Sequence, residues 1–137
     1  RINTVLRNII SAHGKNLHTI DTEFGHVGNA VCWDMQFPET ARNLAKMGTD
    51  LIVCPTWGWE WIYGPARAYE NGIFVAAAMA VPYWMPIEDL RRPSMVISPD
   101  GKILVEGPTD KAAIVYCEID DIHCKQSREF RLNTPLN

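Results

Sequence analysis

Two cysteines stand near the downstream ends of apolar, small-residue runs: Cys32 in Val31-Cys32-Trp33-Asp34 and Cys54 in Val53-Cys54-Pro55. A thiol placed after a strand and before a tight connection to a helix brings its sulfur to a sheet edge. The main-chain N–H groups of the following turn are unpaired there, which is the setting of a nucleophile with an oxyanion site beside it. The two cysteines differ in the residue after them. Pro55 has no N–H to donate, whereas Trp33 has one, so acyl chemistry belongs to Cys32 if to either. On these residues alone a small buried hydrophobe remains the other reading of Cys32.

The flanking pattern says which elements would carry these thiols. Residues 17 to 32 read as two strands joined by a turn near Glu23-Phe24-Gly25, the second ending at the cysteine. Pro38 suits the first position of a helix and Glu39 its first turn. Ala41, Leu44 and Ala45 form its apolar stripe, with Lys46 and Gly48 as the stop. The run from Asp50 to Pro55 reads as a strand covered on both faces. Pro65 to Asn71, with Gly72 behind it, reads as a second helix and residues 73 to 81 as another buried strand. Ser94 to Ser98, the turn Pro99-Asp100-Gly101 and Lys102 to Glu106 make a hairpin. Ala112 to Ile119 reads as a last strand, and a helix comes after it, capped by Asp120 or Asp121. Strands alternate with helices early and pair as hairpins late, which predicts a mixed sheet in an α/β (α+β) chain.

Composition narrows the partners. Of 137 residues, 47% are apolar and 21% charged, enough for one domain with a sizeable core. The net charge of -3 is spread without runs of like sign, which argues against nucleic acid and against an electrostatic membrane anchor. The most apolar stretch, residues 73 to 87, falls short of the ~20 residues a bilayer needs and holds two prolines. Four cysteines without C-x-x-C spacing suit reduced thiols, and no secretory leader is visible, so the expected compartment is the cytoplasm. His123, Cys124 and Cys117 do not fall at a known ligand spacing, so no metal is expected. No glycine-rich phosphate cradle occurs.

Several ordered segments resemble the carbon-nitrogen hydrolase, or nitrilase, superfamily. They are D-T-E-F-G-H-V-G-N-A-V-C-W-D-M-Q-F-P-E, then A-R-N-L-A-K-M-G-T-D-L-I-V-C-P-T-W, then R-A-Y-E-N-G-I-F-V-A-A-A, then S-M-V-I-S-P-D-G-K-I-L-V-E-G. The resemblance covers about residues 14 to 130. It implies an α-β-β-α sandwich and a Glu-Lys-Cys triad in that chain order, with the cysteine attacking a small nitrile, amide or carbamoyl carbon. No metal or organic cofactor is required. On that likeness Cys32 is the nucleophile, the Trp33 amide is part of the oxyanion site, and pairing through Pro38 to Met47 and Pro65 to Asn71 gives a homodimer or larger homo-oligomer. Trp57, just past the strand from Leu51, falls where a substrate-pocket residue should sit, or where an aromatic lid over the core would. Trp59, Trp61 and Tyr63 alternate as residues covering a pocket or a subunit contact would.

The triad order is not completed here. Before Cys32 the only lysine is Lys15 and the only glutamate is Glu23, in the reverse order. Lys15 sits beside Gly14 in a turn-like stretch, and Asp34 and Glu39 suit the turn and the helix start better than proton transfer. Glu70 comes after Arg67 at three-residue spacing, as an ion-pair partner would. Family domains are about twice this long and the chain opens on Arg1 rather than Met. Residues 1 to 137 are therefore expected to be the C-terminal part of a single hydrolase domain, truncated at its N-terminus. The rival expectation is a non-catalytic chain of the same fold, either a fragment or an assembly partner.

Overall fold

The computed structural model describes residues 16–23, 25–57, 62–80 and 92–133. Six strands form one mixed sheet in chain order: β1 (Thr19–Thr22), β2 (Gly25–Asn29), β3 (Leu51–Thr56), β4 (Phe74–Met79), β5 (Met95–Ile97) and β6 (Ile103–Glu106). The pairs β2–β3 and β3–β4 are parallel, and the remaining pairs are antiparallel. Each parallel pair needs a crossover, and two helices supply them: α1 (Pro38–Lys46) between β2 and β3, and α2 (Tyr63–Asn71) between β3 and β4. A third helix, α3 (Asp121–Asn133), ends the described chain.

Local chemistry sets these boundaries. Pro38 opens α1, where its missing N–H is not needed. Helix α2 begins two residues before Pro65, as a first-turn proline permits. The side chain of Asp120 accepts from the Ile122 N–H at 2.9 Å and so caps α3. In the β5–β6 hairpin, Gly101 N–H donates to Ser98 O and Ser98 N–H to Lys102 O, with Gly101 at φ 74°.

One expected strand is absent. Ala112 to Ile119 pairs with no strand among the described residues, and Ile114 and Tyr116 are 79% and 83% exposed. Strand propensity needs a neighbouring edge to act on, and this run joins neither β1 nor β6 in a ladder.

The sheet has two unlike faces. Register places Gly28, Ile52, Val75 and Ile97 in one row, and Cys54, Ala77 and Met95 in the next. All of these are buried, in a core shared with Ala41, Leu44 and Ala45 of α1 and Ala68 of α2. On the opposite face the row Asn29, Val53, Ala76 and Val96 is exposed or half-buried although mostly apolar.

Helix α3 closes the end of the sheet where β3 begins. Asp50 is buried. Its carboxylate accepts from His26 N–H at 3.0 Å and from Arg128 Nη1 at 2.9 Å, and Cys124 Sγ lies 3.3 Å from Asp50 O and from Gly72 O. Asp100 of the hairpin turn pairs with His123 at 3.1 Å and with Arg131 at 3.2 Å, and the Arg131 guanidinium lies over the Tyr69 ring. Among the described residues no helix is long and apolar enough to cross a membrane.

Gly72 is where α3 meets the sheet most closely. It ends α2 in the left-handed conformation at φ 62°, and a Cβ there would lie 2.4 Å from the Arg128 backbone nitrogen. Gly72→Ala combines left-handed strain with a backbone clash. It is expected to destabilise the full chain by about 2–4 kcal/mol in denaturant titrations, by loosening α3.

Candidate active site

Chain direction brings the carboxyl ends of β2, β3 and β4 to one edge, the edge at which open α/β sheets bind ligands. The ladder of β2 ends at Asn29, and one further bond, Ala30 N–H to Val53 O at 3.1 Å, carries the chain past the end of the strand. Cys32 therefore lies three residues beyond β2 rather than at its last position. It opens a 3-10 turn, Cys32–Gln36, which leads through Phe37 into α1.

Cys32 has φ 50° and is the one non-glycine residue with positive φ among those described. A left-handed cysteine costs about 1–2 kcal/mol, and such residues cluster at sites where geometry serves function. The surroundings hold it there. Asp34 N–H donates to Val31 O at 3.0 Å, and the Asp34 carboxylate accepts from Val31 N–H at 2.9 Å, so both main-chain groups of Val31 are tied to the turn. Met35 is fully buried and anchors the middle of the turn in the core. At its far end, Arg67 of α2 donates from Nε to Met35 O at 3.1 Å and from Nη2 to Gln36 O at 2.8 Å. Arg67 also pairs with Glu70 at 3.1 Å, the partner expected from their spacing.

Cys54 lies within β3, two residues before its end, with its side chain buried on the helix-covered face. Burial pushes its thiol up to about 11; the Cys32 main-chain amide beside the sulfur works the other way, while the charges of Cys32 and Asp34 raise it further. A thiol held protonated is a poor nucleophile. Pro55 is tolerated in this central strand because its nitrogen points, like the groups of Val53, toward β2. The β2 ladder has already ended at that level.

Trp57 comes directly after β3 and shares the carboxyl edge with Cys32. Its side chain is 47% exposed and that of Trp33 60%, with Val31 and Phe37 also exposed around the turn. The fold thus brings Cys32, Trp33 and Trp57 to one edge of two neighbouring strands. Lys15, Trp59 and Trp61 lie outside the described residues, as do residues 81–91. Glu39 stands in the first turn of α1. His26 is at the opposite end of β2, bonded to Gly48 O and beside Asp21 and Asp50. His123, Cys124 and Cys117 do not form a ligand set; Cys124 is buried at the base of the sheet and Cys117 is exposed.

Two features escape sequence reasoning. The grip of Arg67 on carbonyls 31 and 32 residues earlier has no local signal, although the Arg67–Glu70 pairing does. The contact of Cys54 with the Cys32 amide depends on the β2–β3 register, which sequence spacing does not fix.

Left-handed strain at Cys32 inverts a familiar order. Alanine ordinarily outranks glycine in stability, yet Cys32→Gly is expected to be more stable than Cys32→Ala by about 1 kcal/mol in denaturant titrations. A second outcome concerns alkali. Cys54 and Cys124 both have thiols raised by burial from 9.0 to about 11 in the folded chain. Their contribution is fully present below pH 9 and is lost as pH rises through 11, because unfolding then releases a proton that the fold retains. The stability difference between the full chain and its Cys54→Ala/Cys124→Ala variant should shrink across that window.

Comparison with known proteins extends this picture. The family model described as Carbon-nitrogen hydrolase matches residues 1–129. Human "Omega-amidase NIT2" is 33% identical over 137 residues, which is 90% of this chain and 46% of that protein. "Probable nitrilase C965.09" of Schizosaccharomyces pombe is 33% identical over 114 residues, 78% of this chain and 41% of that protein. The crystal structure of Saccharomyces cerevisiae Nit3, described as a member of branch 10 of the nitrilase superfamily, superimposes with a TM-score of 0.72 at 28% identity. It covers 91% of this chain and 47% of that one. The chain thus spans under half the length of these curated relatives. With nearly the whole chain matched by the family model and the sheet order superimposing on a solved relative, this chain belongs to the carbon-nitrogen hydrolase family.

Proposed function

We propose that this chain carries the nucleophile of a thiol hydrolase that cleaves a carbon-nitrogen bond of a small amide, with nitriles and carbamoyl compounds as related substrates. The observation that supports this most directly is the left-handed Cys32 at the carboxyl edge of parallel strands, ahead of a turn held at both ends. The omega-amidase relatives favour the amide.

In this reading the Cys32 thiolate adds to the carbonyl carbon, and the oxygen takes the negative charge beside the Trp33 N–H. The intermediate collapses as the amide nitrogen takes the proton given up by the thiol, and the carbon-nitrogen bond breaks to release ammonia and leave a thioester. Water then attacks the thioester, releasing the carboxylic acid and restoring the thiol. Trp57, with Trp33 and Phe37, supplies an apolar rim for the rest of the substrate. No step calls for a metal or an organic cofactor.

Residues 1–137 would then be the C-terminal part of one hydrolase domain, with the glutamate and lysine of the triad supplied from outside them. The coverage of the relatives supports this, as does the apolar sheet face that no helix covers among the described residues. A second sheet laid on that face would complete an α-β-β-α sandwich. The outer surfaces of α1 and α2 are the proposed contact of a homodimer or larger homo-oligomer, and the four free thiols fit the cytoplasm.

Ammonia release from simple amides and nitriles by the intact protein, including the stretch that supplies the glutamate and lysine, tests the proposal. Cys32→Ser is expected to reduce turnover to background, while Cys54→Ser keeps at least about a tenth of it. Equal loss from both, or turnover surviving in Cys32→Ser, removes Cys32 as the nucleophile, and no ammonia release by the unsubstituted protein favours a non-catalytic chain of the same fold.

A further inference from the structure

We propose that Arg67, held in place by Glu70, is the positioning residue of the Cys32 nucleophile: it grips the far end of the cysteine turn and fixes the direction in which the turn presents its sulfur. This rests on the reading of Cys32 as nucleophile.

A guanidinium is expensive to bury unless its donors are met, and Arg67 is only 7% exposed. Each of its three nitrogens has an acceptor: Nε takes Met35 O, Nη2 takes Gln36 O and Nη1 takes Glu70 Oε1. Two of these acceptors are carbonyls at the end of the 3-10 turn, where such groups lack partners within the helix. The rigid planar fork of arginine reaches both at once, which a lysine ammonium on a flexible stem does not do with fixed geometry. The fork is itself oriented. Glu70 holds Nη1, Asn71 Nδ2 lies 3.4 Å from the same Glu70 oxygen and donates to Arg67 O at 2.9 Å, and the Tyr63 ring lies 5.8 Å from the guanidinium carbon. The chain from Asn71 through Glu70 and Arg67 to Gln36 therefore transmits the position of α2 to the cysteine turn.

The left-handed backbone at Cys32 is what this grip maintains. Strained residues persist when their surroundings over-determine them. The start of the turn is tied through Val31 and Asp34, and its end is tied through Arg67. Without Arg67 the end is free, the turn relaxes toward ordinary φ, and the sulfur swings away from the amide that comes after it.

Steady-state kinetics on the intact protein, including the stretch that supplies the glutamate and lysine, corrected for folded fraction, and alkylation of Cys32 by iodoacetamide across pH 5–10 test this. Arg67→Met is expected to lower kcat on the order of 100-fold with KM changed by less than about threefold, as displacement of a nucleophile by about 1 Å can do. The alkylation midpoint of Cys32 should move, because a released turn changes what surrounds its sulfur. Arg67→Lys should recover part of kcat. Should Arg67→Met fail to fold, Glu70→Ala at a half-exposed position decides: it leaves the arginine but frees its fork, and should lower kcat by about 3–10-fold with a smaller shift of midpoint. A folded Arg67→Met or Glu70→Ala chain with unchanged kcat and unchanged alkylation profile overturns the proposal. Turnover surviving in Cys32→Ser overturns the nucleophile reading instead, and the alkylation profile still reports whether Arg67 holds the turn.

Discussion

The parallel pairing of β2 with β3 is the constraint on which the site depends. Three registered pairs, Val27–Leu51, Gly28–Ile52 and Asn29–Val53, set both strands running toward one edge, and the Ala30–Val53 bond then ends the ladder. Beyond that point β3 keeps only its β4 partner and runs beside the cysteine turn for three residues. This explains three placements at once: Cys32 beyond the end of its own strand, Cys54 beneath it, and Trp57 at the same level. It also explains why Pro55 is accepted in a central strand. A slip of one residue in this register would turn Cys54 and Ile52 to the other face and remove the floor of the turn.

The two ends of the sheet use polar groups for different purposes. At the base, Asp50 gathers His26, Arg128 and Cys124, so that one buried carboxylate joins β2, β3 and α3. Gly72 allows the backbone of α3 to lie directly on the end of α2. Losing such a hub would loosen a helix. At the carboxyl edge, the hydrogen bonds of the Asp34 and Arg67 side chains go to main-chain groups around a single turn, apart from the Arg67–Glu70 pair. Their bonds join no distant elements except α2 and the turn, and their consequence is the conformation of Cys32.

Much of the scaffold is legible because its signals are local. Pro38 at a helix start, Asp120 as a cap, Gly72 as a stop and Pro99-Asp100-Gly101 as a hairpin turn each state a backbone requirement within a few residues. The choice of Cys32 over Cys54 rests on the next residue, and the placement of Cys32, Trp33 and Trp57 on one edge comes from chain direction. The features that escape are non-local or conformational. The positive φ of Cys32 has no compositional mark, since cysteine is not a residue that favours it. The acceptors of Arg67 lie across a helix and a strand from it. Ala112 to Ile119 misleads for the opposite reason: it has the residues of a strand, but pairing depends on an edge that local sequence does not reveal.

A buried arginine is an unusual way to hold a turn, and its alternatives show what it contributes. An apolar side chain in its place could fill the volume at less desolvation cost, but would leave the buried Met35 O and the half-buried Gln36 O without these donors. Met35 already fixes the middle of the turn by packing, and packing tolerates small rotations because dispersion is non-directional. Hydrogen bonds from a planar fork do not: two carbonyls bound by one rigid group fix both the distance and the tilt of the peptides that carry them. That is the kind of constraint a left-handed residue needs, since a turn free to tilt would relax the strain through the softest dihedral. The use of charge here is therefore understood as selecting one backbone conformation among several of similar packing, rather than as a gain in stability.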